Sequence, residues 1–192
     1  MPVICDGPEV YMSELFEIAE RLNVKEQAEF VIGKPEFSIW SGSSRIQKHH
    51  YGKGGLIVHT TEVVELCLLN NNYFPKEKQA PEDQLFLAAL FHDVGKIWDY
   101  TPIDENHEEW TVTPHKHLIH HISRSAIFWQ NVVDSTGYPK EKGENVLHAI
   151  LSHHGLKEWG SPVSPDLTLS WVLHLCDSLS AKIDKCFSKG IK

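Results

Sequence analysis

The side chains best suited to chemistry in this sequence are histidines and aspartates that recur in five short motifs. The chain contains 13 histidines, and the motifs are GGLIVHT, FHDVGK, HHIS, SHHG and LHLCD. Imidazole nitrogens and carboxylate oxygens are ligands for divalent first-row metals. Such side chains stand, in chain order, at His59, His92-Asp93, His120-His121, His153-His154 and Asp177. Their types and their recurrence in short motifs predict a site for divalent metal ions.

The pair His92-Asp93 interrupts the apolar run LAALFHDVG. Burying an ionised aspartate without a partner costs several kcal/mol, so the surroundings must supply a cation or the aspartate must be neutral. A metal ion meets that need, and a His-Asp hydrogen-bonded pair is the alternative. Lys96 follows Asp93 by three residues, about one helical turn, and is assigned to the substrate phosphate as a point charge or proton donor. Asp93 and Lys96 are therefore the predicted catalytic residues, and a surface lysine is the alternative for Lys96.

These motifs fall on or next to segments with helical periodicity, which predicts an all-α fold. Helices are predicted over about residues 10–23, 56–69, 81–95, 116–133, 144–153 and 167–185. Weak alternation around a polar tip predicts a short β-hairpin at about residues 98–113. We expect an N-terminal helical extension over residues 1–40 and one compact helical bundle over residues 41–192. His117, His120 and His121 fall on one predicted helix, where His117 and His121 share a face.

Composition limits the partners. The formal net charge is −8, which argues against strong non-specific binding to nucleic acid. No apolar run approaches the roughly 20 residues that span a bilayer, and the N-terminus lacks the pattern of a secretory signal. The four cysteines form no CxxC pair, as expected in a reducing compartment. We therefore predict a cytoplasmic protein without membrane association; its oligomeric state is left open.

The motifs together resemble the HD superfamily of metal-dependent phosphohydrolases. They are most similar to the HD domain of bacterial 3′-to-5′ exoribonucleases that also carry an OB-fold. The resemblance rests on residues 49–56 (HHYGKGGL), His59-Thr60, residues 92–96 (HDVGK), His121-Ile122, residues 152–155 (SHHG), residues 158–162 (EWGSP), Leu173-His174, Asp177, Leu179, Ala181 and Lys182. It covers about residues 40–185 and implies an HD-domain helical bundle.

The resemblance implies two divalent ions, of Mn, Fe, Co, Ni or Zn. His59, His92, Asp93 and Asp177 would hold one ion. Asp93 would bridge to a second ion held by His121 and by one or both of His153 and His154. His121 is preferred over its neighbours because Ile122 follows it, as in the family pattern. Such an ion pair, about 3.5–4 Å apart, can activate hydroxide and stabilise an in-line displacement at phosphorus.

Residues near the ligands are candidates for substrate binding. Arg45, His49, His50 and Lys53 form a cationic segment that could grip phosphates or could be a solvated loop. Trp159 could stack on a base or serve in packing. His174 lies one turn before Asp177 and is expected to touch substrate or orient that carboxylate, and His120 is a further candidate contact. Glu62 could accept the spare N–H of His59 or be solvated.

The favoured function is hydrolysis of a nucleotide-like phosphate ester by metal-activated hydroxide, with a nucleotide or short oligonucleotide as substrate. A di-iron oxygenase and a non-catalytic nucleotide sensor are the alternatives. The sequence departs from the family pattern in three places: no OB-fold fits into residues 1–40, His120 stands where the pattern has Gly, and Leu169-Ser170 replaces Glu-Ala. RNA, DNA, cyclic nucleotides and mononucleotides all remain open as substrates.

Overall fold

A computed structural model describes residues 7–46 and 48–188 and shows a helical bundle with one small sheet. The helices are α1 (Pro8–Arg21), α2 (Lys25–Ile32), α3 (Pro35–Ile39), α4 (Gly55–Tyr73), α5 (Glu82–Phe91), α6 (Lys96–Asp99), α7 (His115–Leu118), α8 (His121–Thr136), α9 (Lys140–Ser152) and α10 (Thr168–Ser188). Short 3₁₀ turns span Lys76–Lys78 and Lys157–Trp159. The prediction of an all-α fold is confirmed.

Helix α5 is the innermost element of the bundle. Every residue from Gln84 to Phe91 is buried, which agrees with a sequence that is apolar on all sides. It packs against α4, α9 and α10, and α8 packs against α9. The next two residues along the chain are His92 and Asp93, so the core itself delivers these side chains to the centre of the molecule.

The N-terminal helices pack on the bundle. Leu15 and Ala19 of α1 and Ala28 and Val31 of α2 are fully buried. Helix α1 contacts α4, and α2 contacts α5 and α8. The division of the chain at residue 40 stays a prediction, and its first six residues lie outside the described part.

The predicted hairpin is confirmed, with a narrower extent. Strands β1 (Tyr100–Pro102) and β2 (Trp110–Val112) are antiparallel, and Tyr100 pairs with Val112. The Asp104 carboxylate accepts backbone N–H groups of Asn106, Glu108 and Glu109 and so closes the tip. The hairpin links α6 to α7 beside the candidate site.

The single helix predicted over residues 116–133 is wrong. Helix α7 ends at Leu118, and α8 begins at His121 after His120, which has a φ of 70°. The Asp99 carboxylate accepts the backbone N–H of His121 at 3.2 Å and anchors the start of α8. His117 therefore does not share a helical face with His121, and it is exposed.

The helix predicted over residues 81–95 also ends early, at Phe91. Residues 92–95 form turns before α6. Gly95 packs against the backbone of His121, where an added Cβ would lie 2.2 Å from the His121 carbonyl oxygen. The Gly95 N–H donates to Ser125 Oγ at 2.9 Å. This close approach requires glycine and brings the HDVG turns against the first turn of α8.

Candidate metal centre

The seven predicted ligands lie together in one cluster built from several helices. His59 lies on α4, Asp177 lies on α10, and the pair His92-Asp93 directly follows α5. Ligand atoms of these four residues all lie within 4.8 Å of one another, and so do those of His121, His153 and His154. His121 is the first residue of α8, and His153 follows the last residue of α9.

Asp93 lies between the two groups and is 2% exposed. Its Oδ2 atom is 3.2 Å from His59 Nε2 and 3.3 Å from His92 Nε2. Its Oδ1 atom is 3.4 Å from His121 Nε2 and 3.7 Å from His153 Nε2. The two oxygens of one carboxylate thus face two different sets of imidazoles, which is the arrangement a bridging ligand needs.

Backbone carbonyls orient two of the imidazoles. The Nδ1–H of His92 donates to the carbonyl oxygen of Ala89, and that of His153 donates to the carbonyl oxygen of Ile150, both at 2.7 Å. A carbonyl can only accept, so the proton of each ring lies on Nδ1. The Nε2 atoms are left with their lone pairs, as ligation requires.

Side chains orient the other two imidazoles. Ser180 donates its hydroxyl proton to Glu62 at 2.7 Å, so Ser180 Oγ accepts the Nδ1–H of His59 at 3.0 Å. His121 Nδ1 lies 3.3 Å from Asp99 Oδ2. Glu62 thus reaches His59 through Ser180 rather than directly. All four rings present Nε2 to Asp93.

The charges in the cluster match the states that ligate metals. Burial lowers the pKa of His121 to about 4 and also lowers that of His153. Burial raises the pKa of Asp93, but Lys96 and His92 outweigh it and hold this pKa well below its ordinary value. Burial also raises the pKa of Asp177, but the hydrogen bond with His59 and the neighbouring His92 and His153 together outweigh it and lower this pKa. Neutral imidazoles and ionised carboxylates are the forms that bind metal.

Three buried atoms in the cluster have no hydrogen-bond partner: Asp93 Oδ1, His121 Nε2 and His153 Nε2. An unsatisfied buried polar group costs about 1–3 kcal/mol, and these three point toward one another. A cation among them would satisfy all three. The mixed nitrogen and oxygen donors suit Mn²⁺, Fe²⁺, Co²⁺, Ni²⁺ or Zn²⁺.

On the other side of Asp93, an imidazole nitrogen lies between two carboxylates. His59 Nε2 lies 3.1 Å from Asp177 Oδ1 and 3.2 Å from Asp93 Oδ2. Burial lowers the pKa of His59, but the hydrogen bonds to Asp177 and Asp93 outweigh it and raise this pKa, so the two carboxylates favour positive charge here. A divalent cation between the carboxylates would supply that charge and leave His59 neutral for ligation. The residues present therefore fit a metal ion on both sides of Asp93.

Lys96 is buried, with 5% exposure, so the alternative of a surface lysine is excluded. Its Nζ lies 2.5 Å from Asp93 Oδ2. Burial lowers the pKa of Lys96, but the Asp93 carboxylate outweighs it and raises this pKa, so the ammonium stays charged. A fixed positive charge thus lies next to the proposed bridge.

His154 and His120 lie at the rim of the cluster. The His154 ring is 5.2 Å from that of His121 and 6.3 Å from that of His120. Both side chains are only partly buried. Of the two neighbouring histidines, His153 therefore lies deeper in the centre, and His154 is open toward solvent.

His174 supports the turn that follows α9. Its Nδ1–H donates to the His153 carbonyl oxygen at 2.8 Å, and its ring lies 5.6 Å from that of Trp159, tilted by 31°. It also packs against Gly155, which has a φ of 92°. Trp159 is 59% exposed and leaves a free surface for stacking.

The cationic segment divides into two parts. The rings of His49 and His50 lie 5.4 and 4.8 Å from that of His59, and His50 Nε2 contacts Glu62 at 3.0 Å. Arg45 and Lys53 are exposed. Lys53 lines a surface cleft of about 890 Å³ between this segment and the tip of the hairpin. The two histidines thus belong to the cluster, whereas Arg45 and Lys53 lie at the surface.

Sequence reasoning missed two residues that hold ligands in place. Asp99 is fully buried and accepts Nδ1–H groups of His115 at 2.7 Å and of His121 at 3.3 Å. The sequence feature that could have indicated a buried Asp99 is its position between two aromatic residues, Trp98 and Tyr100. Ser180 gave no signal, because serine is common on helices and only the packing of α10 on α4 reveals its contact with His59.

The fold and site define a class of protein. Residues 56–182 match the family model described as HD domain, so the chain belongs to the HD domain family. The resemblance inferred from the motifs is confirmed. HD domains bind divalent metals, and the clusters on both sides of Asp93 could hold them.

Two curated relatives refine the comparison. The chain is 26% identical over 163 residues to the 3'-5' exoribonuclease YhaM of Bacillus subtilis (strain 168). The aligned region covers 84% of this chain and 49% of the relative. The chain is 29% identical over 173 residues to the protein of the same name from Shouchella clausii (strain KSM-K16), covering 88% and 51%. The chain spans about half the length of these relatives. No solved structure matched.

The family and these relatives support a metal-dependent phosphohydrolase of the HD type. Across residues 7–46 and 48–188, no helix has the length and apolar character needed to cross a membrane.

Proposed function

We propose that this chain hydrolyses a nucleotide-like phosphate ester with two divalent ions bridged by Asp93. The observation that carries the proposal is the placement of Asp93, whose two oxygens face separate sets of Nε2 atoms. When bound, the two ions supply Lewis acidity and acidify water at the reacting phosphorus. We assign His59, His92 and Asp177 to one ion and His121 and His153 to the other, with His154 completing the second set or contacting substrate.

Lys96 is assigned to the phosphate. Its ammonium is buried, charged and adjacent to Asp93. A fixed positive charge in a buried position stabilises negative charge that grows on phosphoryl oxygens more strongly than an exposed one. Lys96 therefore acts as a point charge or as the proton donor to the leaving oxygen.

The rim is assigned to substrate binding. His49 and His50 pack against His59, His120 packs against His121, and Trp159 offers an exposed ring on which a base can stack. We assign His174 to positioning the turn that carries His153, and the exposed Arg45 and Lys53 to outlying phosphates. The net charge of −8 disfavours long polymers held by charge alone, so we favour a nucleotide or short oligonucleotide. The relatives named as exoribonucleases favour RNA, and we place the reaction in the cytoplasm.

The burial of Lys96 against Asp93 favours hydrolysis over the di-iron oxygenase. A sensor without catalysis needs no complete ligand set, and all seven predicted ligands lie together here. We therefore pursue the hydrolase alone.

The test is metal content and turnover of protein purified without chelator. We expect about two ions per chain and hydrolysis of bis-p-nitrophenyl phosphate that Mn²⁺ stimulates. Labelled oligoribonucleotides and mononucleotides would then be compared as substrates. Asp134→Asn, a substitution at an exposed position on α8, is the control for Asp93→Asn. Two irons without phosphodiester cleavage would contradict the proposal, and so would a protein that takes up no metal under any loading.

A further inference from the structure

The exposed side of α10 carries a row of apolar side chains. Trp171, Leu175, Leu179, Ile183 and Phe187 are 41%, 61%, 43%, 60% and 75% exposed, and they recur every four residues. Side chains at this spacing form one continuous ridge along a helix. We call these five residues the α10 ridge. A helix face that meets water is normally polar, so this ridge is unusual for a surface.

The α10 ridge is separate from the metal centre. His174, Asp177 and Ser180 lie on the same helix, and His174 and Ser180 are buried in the interior. Beside the ridge lies a groove of about 580 Å³ between α1, α4 and α10, lined by Ile183, Ile18 and Leu66 among others. Glu62 and Ser180, which orient His59, also line this groove, so the groove adjoins the metal centre whereas the ridge faces away from it.

The ridge is a large apolar surface. From Trp171 to Phe187 it extends about 24 Å along the helix. Its five side chains leave roughly 600 Å² of apolar area in water, which is at the upper end of the range for the largest apolar patch on a monomer. This area is about three quarters of the roughly 800 Å² that each partner buries in a standard interface.

We infer that the α10 ridge joins two copies of this chain in a symmetric dimer. A ridge of residues four apart packs between the matching ridges of an identical helix, at an interaxial angle near −50°. Each subunit then contributes the same surface patch to the interface, as two-fold symmetry requires.

The charges next to the ridge suit a second copy. Lys182 and Lys185 are exposed at the C-terminal end of the ridge. Glu65 lines the groove, and Glu14 lies beside it, where burial and the neighbouring Glu65 carboxylate raise the pKa of Glu14 to about 7. Lysines from a second copy would relieve the repulsion between these two glutamates.

The test is the mass of the protein in solution, measured by sedimentation equilibrium over a range of concentrations. We expect a dimer for the natural sequence. Leu175→Glu places a charge in the middle of the ridge and is expected to raise the dimer dissociation constant by more than about tenfold. Leu118→Glu is the matched control, since Leu118 is 81% exposed on α7, and it is expected to leave the dimer intact.

Circular dichroism checks that both variants keep their helices. Because Leu175 is largely exposed, its substitution is expected to leave the helical signal unchanged. A monomer at every concentration would overturn the inference. So would a dimer that Leu175→Glu leaves unweakened, because another surface would then form the contact. A monomer that co-floats with phosphatidylglycerol vesicles would assign the ridge to a lipid surface and would also overturn it.

Discussion

The two sides of Asp93 are positioned in different ways. On the Oδ2 side, His59 and Asp177 lie within the long helices α4 and α10, and His92 directly follows the buried helix α5. On the Oδ1 side, the imidazoles come from helix ends: His121 opens α8, and His153 follows α9. Packing of the core fixes the first side, whereas hydrogen bonds and backbone turns at helix ends fix the second.

The two sides also differ in charge. The first side contains the Asp177 carboxylate in addition to Asp93, and it also contains the Lys96 ammonium, 2.5 Å from Asp93 Oδ2. The second side has only imidazoles around Asp93 Oδ1. A second carboxylate strengthens the attraction for a divalent cation. We therefore expect two ions of unequal affinity, with the tighter one between Asp93 and Asp177.

Asp93→Asn is expected to have the largest effect, because it removes the charge shared by both sides. Phosphodiester hydrolysis should fall by at least about 1000-fold, and metal content should fall from about two ions toward none. Metal analysis and turnover measure this. Retained turnover at the natural rate would show that Asp93 does not join the two sides.

Lys96→Met is expected to lower turnover by roughly 100-fold while both ions remain bound, because the lost charge acts on the phosphate. Removing a cation from beside Asp93 also removes repulsion toward a metal. The measurement is the rate together with metal content. Loss of metal instead of rate would place Lys96 among the groups that hold the site together.

Asp99→Asn is expected to weaken only the second ion, by about 10- to 100-fold, since it disturbs the carboxylate that orients His121. Calorimetric titration of metal-free protein with metal should show a higher dissociation constant for the weaker ion and an unchanged dissociation constant for the tighter ion. Asp104→Asn, at the tip of the hairpin that follows Asp99, controls for disturbance of β1 and β2. An unchanged weaker step would mean that Asp99 supports the fold of α8 and not the metal.

Ser180→Ala is expected to have the smallest effect, about fivefold on the tighter ion, because it removes one neutral acceptor from His59. In the same titration, the dissociation constant of the tighter ion should rise and that of the weaker ion should stay unchanged. Ser178→Ala, on the same helix, is the control. If Ser180→Ala and Asp99→Asn both shifted the same step, the two sides would not be independent.

The same contrast explains what the sequence could predict. His59, His92, Asp93 and Asp177 stand in apolar helical segments, so periodicity and burial identify them. The break before His121 depends on the Asp99 carboxylate and the close approach of Gly95, which are tertiary contacts. The sequence did contain one indication of this break, because the family pattern has Gly at the position where His120 adopts a φ of 70°. Glycine favours such a conformation, and the break could have been inferred from it.

Other features lay beyond sequence reasoning for a related reason. The contact between Ser180 and His59 joins residues 121 positions apart and depends on how α10 packs on α4. The α10 ridge follows helical spacing, but periodicity alone assigns apolar residues to a core. Only the packed structure shows that Leu175 and Ile183 face outward.

The central claim is that one carboxylate joins two ions, and electron paramagnetic resonance during Mn²⁺ titration tests it most directly. Two Mn²⁺ ions that share a carboxylate are exchange-coupled, which changes their spectrum. We predict a six-line signal from the first ion that gives way to a coupled signal as the second binds. A six-line signal that keeps growing until both ions are bound, or saturation after one ion, would contradict a bridge through Asp93.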